Sequence, residues 1–243
     1  MFGSKLVQGL LALISLINPK TWGPFLHAYQ RTKFDHDFAI SYSQYGEDLA
    51  LLTLFQGKVG SYIDVGAHHP DRFSNTRLLY QKGWSGINVE ANPHLVDRLK
   101  QKRPRDITLW GSVGTSSITR FSIFEDPSIS TSQPNWKANY LNMGNVVAEE
   151  IEVPGITVRS LIERYFEKSR LELLLIDAEG SDFDVLKSLE LETLDVTKHP
   201  EWILVETSYP VERSLSEETV QYVKNFDYVP YLVLPTSTIL RKS

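Results

Sequence analysis

From residue 41 to the C-terminus, short apolar runs alternate with stretches in which apolar positions recur every three or four residues. The first pattern is that of buried strands, the second that of helices with one apolar face. Taken in order, the spacing predicts helices over 47–55, 75–82, 93–102, 158–166, 182–189 and 217–225. Strands are predicted over 61–65, 86–89, 107–110, 118–124, 171–176 and 202–205, with a terminal pair over 228–240 broken at Pro235-Thr236. Strands separated by helices make βα units, so the predicted class is α/β with a mostly parallel sheet. Asn92-Pro93 marks a helix start, with Asn as the cap and Pro in the first turn. The run 171–176 is the most apolar and reads as a central strand buried on both faces. Residues 125–150 are rich in Ser, Asn and Pro and show no period, so one long loop is expected there. In it Trp136, Tyr140 and Met143 would form either a substrate lid or plain surface. No internal repeat and no second domain is visible; the chain divides into a helical extension, 1–40, and one domain, 41–243.

Residues 6–17, LVQGLLALISLI, break this rhythm, with Lys5 and Lys20 flanking them and no acid before Asp35. Twelve residues make about 18 Å of helix, short of the roughly 30 Å needed to cross a bilayer core. The following INPKTWGP lacks a small-x-small cleavage site, which weighs against a removed signal segment. Two readings stay open: an interfacial helix giving residues 5–25 a peripheral membrane contact, or a helix packed on the body or on a second subunit of a homo-oligomer. Trp22 and Phe25 suit either. The expected location is cytoplasmic, with the inner face of a membrane as the peripheral variant.

Composition narrows the chemistry. Lys and Arg number 25 against 30 Asp and Glu, a net charge of −5, which gives no basic field for nucleic acid. The run Lys100, Lys102, Arg103, Arg105 reads as a solvated helix end. The absence of cysteine excludes disulfides, thiolate metal sites and a Cys nucleophile.

In an open parallel sheet, ligands bind beyond the carboxyl ends of the strands. Four places there carry chemistry: Asp64 with Gly66, Glu90, Asp177 with Glu179, and Glu206. Glu90 follows Asp64 by 26 residues, near the roughly 20 that separate a glycine turn from a ribose-binding acid. That spacing points to an adenosine-type ligand. The loop Asp64-Val65-Gly66-Ala67-His68-His69-Pro70 has a single glycine and an acid, wrong for a pyrophosphate and for a nicotinamide dinucleotide. It suits S-adenosylmethionine, which carries a sulfonium, an ammonium and a ribose but no phosphate. The plainer alternative is that Asp64 caps a helix and Gly66 makes a turn.

The strings SQYGED (43–48), YIDVGAHHPDRFSNT (62–76), KGWSGINVEANP (82–93) and LLLIDAEGSDFDVLKSL (173–189) occur in one order, and over roughly 41–207 the chain resembles the FkbM-type methyltransferases. The resemblance implies a class I, Rossmann-like methyltransferase dependent on S-adenosyl-L-methionine. Its sheet would have seven strands, mostly parallel with the last antiparallel, and helices on both faces. It also implies O-methylation of a sugar or polyketide hydroxyl, in surface-polysaccharide or natural-product biosynthesis. Carried over by position, Asp64, Gly66 and Ala67 would line the cofactor, Glu90 its ribose and Asn92 that neighbourhood. Gln44 and Glu47 would close over it, and Asp177 would face the reacting end. Leu175 stands where many members have Lys or Ser, and His68 and His69 match only a subset.

Methyl transfer to a hydroxyl needs an acceptor oxygen in line with the methyl group and a base for its proton. Asp177, Glu179, His68 and His69 are the candidate bases. A divalent cation on Asp177, Glu179 and a histidine is the less favoured route to the same end, and no metal ligand set is assigned. The bland accounts are that Asp177 caps the helix near Asp182, Glu179 accepts turn amides, Gly180 supplies a positive φ and the histidines shape a turn. The alternative function is a non-catalytic protein of this fold that docks a membrane or a partner through its apolar N-terminal helix.

Overall fold

The computed structural model describes residues 40–208 and 210–243. The expectations for the N-terminal helix, Trp22 and Phe25 lie outside the described residues. Ser41–Ser243 form one compact unit.

Its chain order is α1 (Glu47–Phe55), β1 (Ser61–Val65), α2 (Arg77–Gln81), β2 (Ser85–Glu90), α3 (Pro93–Lys102), β3 (Ile107–Trp110), β4 (Ser112–Val113) and β5 (Ile118–Phe124). Then follow α4 (Pro134–Asn142), β6 (Val147–Ile156), α5 (Val158–Tyr165), β7 (Leu173–Ile176), α6 (Asp182–Lys187) and β8 (Trp202–Glu206). The chain ends with α7 (Val211–Ser216), α8 (Glu218–Lys224), β9 (Tyr228–Val233) and β10 (Ser237–Lys242). Seven strands form one sheet in the order β3-β2-β1-β7-β8-β10-β9. β10 runs antiparallel to both its neighbours while the remaining pairs are parallel. This is the class I, Rossmann-like α/β arrangement that the family resemblance implies, last strand included.

The period of two along each strand builds a core on both faces. Ile63, Val65, Leu174, Ile176, Ile203 and Val205 face one side and pack with residues of α5, α6 and α8. Tyr62, Leu173, Leu175, Trp202 and Leu204 face the other, against Leu51 and Phe55 of α1 and Leu79 of α2. Each such aliphatic side chain removed from water contributes about 1.5–3 kcal/mol, which is why the central strands carry almost no polar residue.

Residues 125–150 are not one loop. They hold a short 3-10 turn, the helix α4 and the start of β6, which pairs antiparallel with β5 and parallel with β4 in a separate three-stranded sheet. The period was invisible for a physical reason: α4 buries no residue and β6 is mostly exposed, so neither carries an apolar stripe. α7 is a further helix that the spacing did not predict. The basic run is also not a solvated helix end throughout, because Arg103 is fully buried. Its guanidinium donates to Thr76 Oγ1 at 2.6 Å, Ser74 Oγ at 2.5 Å and the Pro70 carbonyl at 2.9 Å, fixing the loop after β1. Among the described residues no helix is long and apolar enough to cross a membrane.

Candidate active site

The chain runs from β1 outward through β2 to β3 and then returns to place β7 on the other side of β1. The crevice at that reversal is where open α/β sheets bind ligands. Register fixes what stands there. Val89, Val65, Ile176 and Val205 pair in succession across β2, β1, β7 and β8. The next residue on each strand is Glu90, Gly66, Asp177 and Glu206. Four candidate positions therefore share one level at the end of the sheet, with neighbouring strands about 4.8 Å apart.

Glu90 is buried and held by backbone: Oε2 accepts the His68 N–H at 2.8 Å and Oε1 the Asn92 N–H at 2.7 Å. Burial raises its pKa to about 7, opposed by those N–H groups. Gly66 takes φ +77°, and a Cβ there would overlap the carbonyl oxygen of Asp177, so only glycine lets β1 and β7 approach this closely. Above them lies a cleft of about 780 Å³ with the open solvent at its mouth included. Glu90, Gly66, Asp177, Gln44, His68 and Phe73 line it on one side. Gly111–Val113 after β3 and serines of the segment preceding α4 line the other.

A second, smaller cavity, about 270 Å³ with open solvent included, lies beyond Asp177. It shares Gln44, Phe73 and Asp177 with the first, and adds Glu47, Asn75 and Glu206. Asp177 is partly exposed, to these two spaces, and among the described residues no side chain or amide hydrogen-bonds its carboxylate. Burial, then Asp182, Glu179 and other acids, push its pKa well above the usual range. Glu206 is likewise without a hydrogen-bond partner among the described residues, and burial with Asp177 and Asp182 beside it pushes its pKa up to about 10. His68, Phe73 and Glu179 are non-glycine residues at positive φ of 49°, 55° and 46°, and all three stand at this site. Left-handed backbone of this kind costs about 1–3 kcal/mol per residue and collects where geometry is imposed for function.

Other expected residues stand elsewhere. Asp64 does not line the cleft: its carboxylate accepts Thr76 Oγ1 at 2.5 Å and faces the buried Arg103. It pairs with Asn88, two residues below the level of Glu90, too deep in the sheet to reach the opening. Ala67 is buried, its N–H donating to the Val89 carbonyl at 3.2 Å. Asn92 caps α3, accepting the His94 N–H at 3.0 Å, and serves the cleft only through its own N–H on Glu90. His69 Nδ1 accepts the Asp71 and Arg72 amides, each at 3.1 Å, so it shapes the turn and is not in the cleft. His68 lines the cleft, and burial lowers its pKa to about 4, leaving it neutral at pH 7. Glu47 starts α1 and lines the second cavity alone, its Oε1 only loosely met by Thr236 and Ser237 hydroxyls at 3.4 and 3.5 Å.

Glu179 accepts the Tyr140 hydroxyl at 2.7 Å, and burial raises its pKa. Trp136 lies against Gly180, where a Cβ would overlap the indole and φ is +91°. α4 thus sits on the loop after β7 as a cover, with Met143 at its exposed end. Asp177 does not cap α6; the Ala178 N–H donates to Asp182 Oδ1 at 3.1 Å. Phe73 and the serines before α4 were not predicted, since a lone aromatic after a turn and scattered serines carry no period. Among the described residues no three His, Asp or Glu side chains are grouped to hold a metal ion.

The FkbM methyltransferase domain model matches residues 64–230. No curated protein matches the chain. Among solved structures, a TehB-like SAM-dependent methyltransferase from Corynebacterium glutamicum aligns at 11% identity and TM-score 0.42, covering 93% of this chain and 100% of that one. A putative O-methyltransferase from Klebsiella pneumoniae aligns at 12% identity and TM-score 0.43, with coverages of 86% and 82%. A human methyltransferase 10 domain containing protein aligns at 10% identity and TM-score 0.44, with coverages of 94% and 98%.

Proposed function

The chain belongs to the FkbM methyltransferase family, and from that premise we propose that it methylates a hydroxyl of a sugar or related polyol, in surface-polysaccharide or natural-product biosynthesis. As a member of that family it is an S-adenosylmethionine-dependent methyltransferase. The observation that supports the finer reading is the shared level of Glu90, Gly66, Asp177 and Glu206, along which a donor and an acceptor would lie end to end.

The residues present fit the cofactor. Glu90 has both oxygens fixed by backbone N–H groups and lone pairs left for two ribose hydroxyls. Gly111–Val113 lie beyond Glu90, on the side away from Asp177, and would take the adenine. Asp177 carries an unmet carboxylate at the other end, suited to a cation. When bound, the cofactor supplies an electrophilic methyl group on a positively charged sulfur. Gln44 and Phe73, which belong to both cavities, stand where methyl donor and acceptor would meet.

The second cavity favours a polyol acceptor because most of its wall hydrogen-bonds. Gln44, Glu47, Asn75, Glu206, Thr236 and Ser237 offer acceptors and hydroxyl or amide donors around a small volume. A site of that kind rejects an apolar acceptor, which would leave those groups unpaired. Of the bases considered from the sequence, His69 is committed to a turn and Glu179 to Tyr140.

The test has two stages. Calorimetry with S-adenosylhomocysteine on the full chain should show micromolar binding, lost in Glu90→Ala. Incubation with methyl-labelled S-adenosylmethionine and a panel of nucleotide sugars, lipid-linked glycans and apolar alcohols should label only the polyols. Labelling confined to apolar alcohols would overturn the acceptor class, and no cofactor binding would overturn the whole reading.

A further inference from the structure

In-line displacement requires the acceptor oxygen about 3 Å from the methyl carbon, on the side opposite the sulfur. Were the ribose held on β2 and the donor's cation on β7, continuing along the same level would lead away from β1 and onto β8. The residue there is Glu206, one strand spacing past Asp177, on the wall of the second cavity and absent from the first.

The competitors fail on position. His68 sits with its backbone on Glu90, at the ribose end. Glu179 holds the Tyr140 hydroxyl. Asp177 faces both cavities and would stand against the donor's charge. Glu47 is held by the Tyr45 N–H at 2.9 Å through one oxygen and approached by two hydroxyls through the other. Glu206 and Asp177 both line the acceptor cavity with carboxylates that no described group engages, and of the two only Glu206 stands clear of the donor cleft.

We propose that Glu206 is the base that takes the acceptor's proton, and that it ionises when the positively charged methyl donor enters the neighbouring cleft. This rests on the methyltransferase reading. In the step, the acceptor oxygen forms a bond to the methyl carbon, the sulfur keeps the electron pair of the broken S–C bond, and the hydroxyl proton passes to the Glu206 carboxylate. The surroundings explain why a donor is needed. Asp177 and Glu179 from the end of β7, Asp182 from α6 and Glu217 from the start of α8 all face Glu206 and disfavour its charge. The donor carries one positive charge more than the demethylated product, whose sulfur is neutral and whose ammonium remains, so only the donor adds a cation at the reacting sulfur to relieve that repulsion. The base would then be available in the donor complex and return to its neutral form once the methyl group has gone.

The experiment is calorimetry of the full chain at pH 8 in two buffers of different ionisation enthalpy, which counts protons released on binding. S-adenosylmethionine should release close to one proton more than S-adenosylhomocysteine. In Glu206→Gln that difference should vanish while the affinity for S-adenosylhomocysteine stays within about twofold. The amide copies the neutral acid in shape, so the variant should fold, and its melting temperature checks that. With a polyol acceptor found by labelling, Glu206→Gln should lower kcat about 100-fold or more at unchanged KM for the donor. Equal proton release in Glu206→Gln and wild type would overturn the proposal, as would unchanged turnover. A wild type that binds both ligands with no proton difference removes this inference alone; one that binds neither removes the methyltransferase reading as well.

Discussion

Glu90 offers the sharpest quantitative test of the donor site. The probe is 5′-methylthioadenosine, which keeps adenine and ribose but has no charge, so it does not sense Asp177 or Glu206. Two ribose hydroxyls on one carboxylate contribute about 1.5 kcal/mol each as hydrogen bonds to a charged group. Glu90→Ala therefore costs about 3 kcal/mol, roughly 150-fold in Kd. Glu90→Gln should be nearly as damaging, because both carboxylate oxygens already face N–H donors. Whichever way the amide turns, its NH2 meets the N–H of His68 or Asn92, donor against donor. The pH dependence follows from a pKa raised to about 7. The ligand prefers the ionised form, which is about nine-tenths populated at pH 8 and about one-tenth at pH 6, so wild-type Kd should rise roughly tenfold over that range. Glu90→Gln should show no such slope. A Gln variant within threefold of wild type at pH 8, or a flat wild-type profile, would refute the ribose assignment.

The same burial has a consequence for stability. A carboxyl whose folded pKa of about 7 lies above its ordinary 4.5 binds its proton more tightly in the folded chain. Stability from this group is fully present below about pH 4.5 and is lost as pH rises through 7, at about 1.4 kcal/mol per pH interval, some 3 kcal/mol in all. Urea melts of the ligand-free protein at pH 5 and 7.5 should show that fall, reduced in Glu90→Gln; stability that rises over this interval would contradict it. Gly66→Ala should lower the melting temperature by about 6–12 °C, since about 3 kcal/mol of left-handed strain and overlap with the Asp177 carbonyl is expected; a shift under 2 °C would show that the strands can part. Arg103→Met should destabilise by about 3–5 kcal/mol by removing the buried guanidinium that faces Asp64 and ties Thr76, Ser74 and the Pro70 carbonyl together. Thermal melts read it, and Arg103→Met equal to wild type would mean that the loop after β1 holds without the guanidinium. Tyr140→Phe removes the bond to Glu179 and should speed hydrogen exchange across 134–142 without changing S-adenosylhomocysteine affinity; unchanged exchange would show that Trp136 alone anchors α4.

How much of this was legible depends on where a residue's neighbours lie in the chain. Strands and helices of the main sheet were readable because each buries an apolar face, and α1, β1, α3, β3 and β5 begin and end where the spacing places them. α4 and β6 were hidden because their partners, Glu179, Gly180 and β5, lie outside the local window, and nothing in their own sequence records the contact. The four acid- or glycine-tipped strand ends were visible, yet their common level is a property of register, set by pairing between strands far apart in sequence. Asp64 shows the difference. Its type and its nearness to Gly66 suggested the cleft, but alternation puts it on the face of Tyr62 and register puts it beside Asn88. There it meets Thr76 and Arg103, a basic residue that sequence alone assigned to solvent. The motif containing Asp64 thus serves the site indirectly: Arg103 ties Pro70, Ser74 and Thr76 together, and the loop so fixed carries Phe73 into the wall shared by both cavities. Acid spacing along a chain locates the end of a sheet, and only the pairing of strands decides which acids open onto the ligand and which hold the loop that shapes its pocket.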